Sequence, residues 1–220
     1  LCIRDSISTG NPDEPQVEGE GGEGYLYVFE QSGSSFTEAY QSPNIDAALG
    51  VTIAELDGST YPEIGVATGY LEVIDPIAGT SDLHGNVRIF GYGGSSYDSE
   101  WASSDLEEIV GGIASGDFGG TNDYLVVGTG GDSRDNNEVP GKVIVYKRSG
   151  GTYITDGSTI NSQRYSAYGI SVGDVDNDDE IEIAVGTGDF GDSKPTVTVY
   201  DGNSHSVEYS KTVDTSSVWG

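Results

Sequence analysis

The chain has 220 residues, including 34 glycines, 14 tyrosines and no methionine, and its 37 Asp and Glu against 9 Lys and Arg give a formal charge of −28. So acidic a surface repels phosphate backbones and anionic lipid, which argues against nucleic acid and membrane surfaces as partners and suits a calcium-rich or salty medium. Cys2 is the only cysteine, so no intramolecular disulfide forms, and no apolar run approaches the roughly 20 residues that span a bilayer. No leader peptide is visible, and a chain that opens on Leu1 is uninformative about one. No asparagine stands in an N-x-[ST] sequon, which weighs against a heavily glycosylated ectodomain.

In chain order, three markers recur. A worn ISTG at 7–10 returns as VATG at 66–69 and as VGTG at 127–130 and 185–188. After each comes an alternating strand ending in an aromatic: YLYVF (25–29), VRIF (87–90), VIVY (143–146) and VTVY (197–200). Each of these leads into a polar Gly/Ser turn and a further short strand. Before three of the Thr-Gly markers stand LGVTIAEL (49–56), GGIASGDF (111–118) and YGISVGDV (168–175). A unit of four short antiparallel strands repeating at a period of roughly 60 residues predicts an all-β protein, a β-propeller of four-stranded blades, with an open solenoid as the lesser alternative. The units fall at 1–47 (a partial blade), 48–108, 109–165 and 166–220. The chain opens at the second strand of a blade and stops at Val218-Trp219-Gly220, which aligns with Ala167-Tyr168-Gly169 ahead of a first strand. It therefore reads as a propeller fragment of about three full blades plus one partial, whose first partner is the rest of its own propeller. Val51, Ile53, Ile170, Val172 and the small apolar runs 64–68 and 183–186 are expected in the core.

The richest chemistry lies in GDVDNDDEIEIAVGTG, residues 173–188. Asp174, Asp176 and Asp178 alternate and Glu182 follows, so three carboxylates crowd five residues at a repulsive cost of very roughly 4 kcal/mol per close pair. Oxygen-only ligands, with no His or Cys among them, point to calcium. An EF-hand is excluded, because Asp179 holds its sixth position and Val185 its twelfth, and because the flanks read as strands. The alternative is a nine-residue loop in a β-hairpin, with side-chain ligands at positions one, three, five and nine and the Glu180 carbonyl at position seven.

With these residues in view, nearly the whole chain resembles the FG-GAP (VCBS-type, integrin-α N-terminal-like) repeats. The most specific match is Asp174-x-Asp176-x-Asp178-x-x-x-Glu182-Ile183, although Asp179 replaces the family's glycine at the sixth position. The resemblance implies a propeller stabilised by structural Ca2+, found mainly in extracellular or cell-surface proteins. Carried over to the unit at 50–69, it implies Glu55, Asp57, Ser59 and Glu63 as side-chain ligands and Tyr61 as the carbonyl donor. In the unit at 112–130 Asp117 and Asp123 remain, but Gly119 takes the third position, and a plain glycine turn is expected there.

The loops joining second to third strands (11–24, 70–85, 131–141 and 189–195) are long and acidic, and on a propeller they would share the face where a partner docks. Tyr92, Trp101 and Tyr153 are candidates for anchoring a partner or, more simply, for strand packing. His84 and His205 stand apart in different units, and neither a nucleophile elbow, a zinc-protease motif nor a phosphate loop is present. The expected function is a non-catalytic calcium-binding module for adhesion or recognition of a protein or glycan, on an exported or cell-surface protein. The enzymatic alternative is a polysaccharide lyase-like propeller, which needs clustered bases to hold an acidic sugar and abstract its proton; the nine Lys and Arg are scattered through the units.

Overall fold

A computed structural model describes residues 2–3, 23–75, 80–130, 141–157, 159–161, 166–188 and 195–213. Among them all regular structure is β, in short strands joined by tight turns, as the abundance of glycine and of alternating β-branched and aromatic residues dictates. The first sheet is β1 (Cys2–Ile3), β2 (Tyr27–Ser32) and β3 (Ser35–Gln41). The second is β4 (Ala48–Ala54), β5 (Glu63–Thr68), β8 (Val87–Tyr92) and β9 (Tyr97–Ala102), with the hairpin of β6 (Tyr70–Asp75) and β7 (Thr80–His84) inserted between its middle strands. β10 (Ile109–Gly116), β11 (Tyr124–Gly130), β12 (Lys142–Ser149) and β13 (Thr152–Thr155) form the third, and β14 (Ile160–Asn161) also pairs with β12. The fourth is β15 (Ser166–Gly173), β16 (Glu182–Gly188), β17 (Thr196–Asp201) and β18 (Val207–Thr212). Every pairing is antiparallel, and in sheets two to four the strands lie in sequence order with the inserted hairpin set aside.

Alternation along each middle strand builds three successive cores. Leu26, Val28 and Ile45 meet Ile64, Val66, Phe90 and Tyr97 between sheets one and two. The opposite face of the second sheet (Ala67, Val87, Ile89) meets Leu125, Val127, Ile144 and Tyr146. The opposite face of the third (Val126, Val143, Val145) meets Ile183, Val185 and Tyr200 of the fourth. Leu125, Val126 and Val127 thus supply two cores in turn, which is why this strand reads as an unbroken apolar run.

The first strands β4, β10 and β15 lie side by side where the sheets approach most closely. Thr52 and Ser115 share a hydroxyl hydrogen bond of 2.9 Å, and a Cβ on Gly111 or Gly112 would strike Tyr168. The glycines of GGIASG stand where a side chain would collide with the neighbouring first strand, Gly111 and Gly112 against Tyr168 and Gly116 against Val172.

The recurrent threonine also has a structural reason. Thr68, Thr129 and Thr187 are buried at the ends of their second strands, and each hydroxyl accepts a backbone N–H at the start of the third strand: Asn86, just before β8, at 3.3 Å, Lys142 at 3.1 Å and Thr196 at 3.2 Å. The hydroxyl closes the ladder where strand pairing has ended.

The stretch 70–85, expected as a loop, is largely the β6–β7 hairpin. Most of the other long loops, the ISTG copy at 7–10 and residues 218–220 lie outside the described residues, as do Arg4, Arg134, Arg164 and Lys194.

Candidate metal centres

The two acidic loops sit at the same place in the second and fourth sheets, between the first and second strands. Glu63 and Glu182 open their second strands directly opposite the last residues of the first strands, Ala54 and Gly173. That register draws both carboxyl groups inside, to 1% and 2% exposure. Each accepts a backbone N–H from its own loop: Leu56 to Glu63 Oε2 at 2.7 Å, and Val175 to Glu182 Oε2 at 2.6 Å.

Around these buried carboxylates two triads gather. Glu55, Asp57 and Glu63 offer oxygens within 4.8 Å of one another, and so do Asp174, Asp176 and Glu182. Either group has the composition and spacing to hold a metal ion. In the first loop Ser59 and Tyr61 are exposed, but the Ser59 hydroxyl lies 3.1 Å from Glu63 Oε1 and donates to the Tyr61 carbonyl at 2.6 Å, which brings both groups beside the triad. In the second, Asp174 organises the turn by accepting N–H groups from Asn177 (2.5 Å), Asp178 (3.2 Å) and Asp179 (3.3 Å). Asp178 is not in the convergent group; its Oδ1 accepts the Glu180 N–H at 2.8 Å. Glu180 itself is exposed. Asp179 adopts φ 70°, the left-handed conformation that glycine ordinarily supplies, and Asn177 does so at 66°.

Burial pushes the Glu63 carboxyl upward, against the lowering pull of the Leu56 N–H and the Ser59 hydroxyl, with Glu100 and Glu55 raising it further. A cation placed beside such a carboxylate would offset the cost of its burial. Glu55 Oε1 makes the same point from geometry: it is buried with no hydrogen-bond partner. An all-oxygen donor set with an orphaned carboxylate oxygen fits a hard divalent ion.

The third sheet shows how the same frame is closed off. In register, Tyr124 takes the place of Glu63 and Glu182, opposite Gly116. Its ring packs edge-on against Phe118 at 5.2 Å, so an aromatic pair fills the space of the buried carboxylate. Asp117 closes its own turn through the N–H groups of Gly119 and Gly120, and Asp123 turns to the neighbouring sheet. This aromatic replacement was readable from the aligned position but absent from a count of acidic residues.

Elsewhere, Tyr153 is buried and half-buried Trp101 packs on Tyr146 and Tyr153 with ring centroids 5.4 and 5.2 Å apart, so these aromatics serve the seam between sheets two and three. Of the described bases, Arg88 pairs with Asp46, Lys142 with Glu108, Lys147 with Asp156 and Arg148 with Asp57. His84 bridges Asp105 (2.5 Å) and Glu72 (3.1 Å). No helix among the described residues is long and apolar enough to cross a membrane. In comparisons with known proteins, no family model and no curated protein matches the chain.

Proposed function

We propose that this chain is a segment of a calcium-stabilised β-propeller of the FG-GAP-like kind, a non-catalytic recognition or adhesion module of an exported or cell-surface protein whose partner is a protein or a glycan. The observation that carries it is the convergence of two acidic triads at equivalent places in two repeats, one of them around an unpartnered buried oxygen. Side-by-side first strands and cores that pass from sheet to sheet in chain order favour radial blades. Four of the five described Lys and Arg are engaged by a carboxylate and only Lys211 is in no ion pair, which favours binding over lyase chemistry, since that needs several such groups free and clustered.

The ion's task is mechanical. It neutralises carboxylates that otherwise repel, and it ties the start of a second strand to the end of a first. A site of the extracellular class has a Kd of about 10⁻⁴ to 10⁻³ M, and a hundredfold excess of ion stabilises the folded state by about 2.7 kcal/mol. Differential scanning calorimetry with calcium and with a chelator is the test. The expected result is a higher Tm in calcium, and equal values overturn the proposal.

A further inference from the structure

Arg148 stands at the end of the third strand of the third sheet, yet its Nη1 lies 2.5 Å from Oδ2 of Asp57, a member of the triad in the second sheet. The guanidinium is largely buried in this seam, and the same nitrogen makes no hydrogen bond. It acts at the triad as a charge more than as a directional donor. Across the β12–β13 ladder Arg148 faces Tyr153, whose buried hydroxyl also lacks a partner. Three described buried polar atoms that make no hydrogen bond, Glu55 Oε1, Arg148 Nη1 (held by its ion pair with Asp57) and Tyr153 OH, therefore belong to this one junction. The equivalent loop in the fourth sheet has no such neighbour: among the described residues no ion pair reaches Asp174, Asp176 or Glu182.

Given the cation-binding function proposed above, on which this rests, we infer that Arg148 is an affinity-setting residue that makes the two centres unequal: its fixed positive charge competes with a divalent cation for Asp57, so the triad at 55–63 fills only at higher calcium than the triad at 174–182. The physical reason is Coulombic. Two cations a few ångströms apart in a half-buried seam repel, and the guanidinium cannot relieve this by losing a proton. One negative charge of the first triad is neutralised from within, while the second triad keeps all of its own. The first centre also lies between two sheets, so filling it alters the contact that Arg148 makes from the neighbouring sheet.

The test uses single-centre proteins titrated with calcium chloride by isothermal calorimetry. D176N removes a ligand of the second triad and leaves the first to be measured; E63Q does the reverse. The expected order is weaker binding in D176N than in E63Q, and at least a tenfold gain in affinity when R148Q is added to D176N. R148K, which keeps the charge, produces no such gain. An affinity of D176N/R148Q equal to or weaker than that of D176N overturns the inference while leaving cation binding intact. Absence of calcium binding by the wild-type chain overturns both. If the double variant does not fold, the wild-type protein answers instead. The Arg148 side-chain Nε resonance must move as the weaker centre fills, and a signal unchanged through saturation overturns the competition.

Discussion

Asp123 of the third sheet and Glu55 of the second are joined by two hydrogen bonds running in opposite directions. The Glu55 N–H donates to Asp123 Oδ2 at 3.0 Å, and the Asp123 N–H donates to the Glu55 carbonyl at 2.8 Å. The first residue of one acidic loop is thereby latched to the adjacent sheet, with or without a metal. Asp123→Ala removes the acceptor and leaves a part-buried amide unpaired, which costs about 1–3 kcal/mol. Asp123→Asn retains an acceptor and loses less. Urea denaturation of the two variants checks the order, and equal midpoints for wild type and D123A count against the latch.

The repeated threonine hydroxyl predicts a second effect that needs no metal. In Thr187→Val the shape is kept, but the half-buried Thr196 N–H loses its acceptor. The expected loss is about 1 kcal/mol, the lower end of the range for an unpaired donor, since this one is half-buried and keeps some access to water. The same change at Thr68 or Thr129 acts alike. Thermal denaturation of T187V in the presence of chelator is the measurement, because the effect must persist there.

These two contacts mark where the sequence is transparent and where it is not. The triads were legible because their carboxylates lie within nine residues and the hairpin register brings position nine back to position one. Thr68, Thr129 and Thr187 were legible as a repeat, but their role required knowing which N–H the ladder leaves open. Asp123 and Arg148 were not legible, since each acts on a loop in another sheet, 68 residues away in the case of Asp123 and Glu55. In 70–85 the breakers Pro76 and Gly79 and the acidic residues read as a loop, whereas the alternation of Leu71 and Val73 is that of the hairpin the chain forms.

His84 predicts a pH response of that hairpin. Burial pushes its imidazole down, but the hydrogen bond and charge of Asp105, then those of Glu72, more than reverse this, so its pKa is raised above 6.5. Burial pushes Asp105 up, and the bond from His84 with the N–H groups of Glu107 and Gly85 outweighs it, holding Asp105 below 3.8. The stability lent by His84 is present in full below pH 6.5 and is lost as pH rises through the raised folded value. That lent by Asp105 is present above pH 3.8 and is lost as pH falls through its lowered one. Amide exchange in β6–β7 is therefore slowest, after correction for intrinsic rates, in mildly acidic solution and quickens toward alkaline pH. His84→Gln flattens the alkaline side, and an unchanged profile in H84Q refutes the assignment.

Asp176 predicts a reversal of sign. Its carboxylate is exposed and lies within 4.8 Å of oxygens from Asp174 and Glu182, with no described base beside them. In chelator, Asp176→Asn relieves like-charge repulsion, which after solvent screening is worth up to about 1 kcal/mol per pair. In calcium the same change removes a ligand and forfeits the linkage term, about 2.7 kcal/mol at a hundredfold excess over Kd. The variant is thus expected to melt above the wild type without calcium and below it with calcium, so the two curves of Tm against calcium concentration cross. Glu182→Gln tests the other half of the balance. It too loses the ion, but it retains an oxygen that can accept the Val175 N–H, so the loop keeps its internal hydrogen bond. Glu182→Ala loses both and is the less stable in either medium. Parallel curves for D176N and wild type would show that the carboxylates bear no cation and that their crowding is relieved by solvent alone.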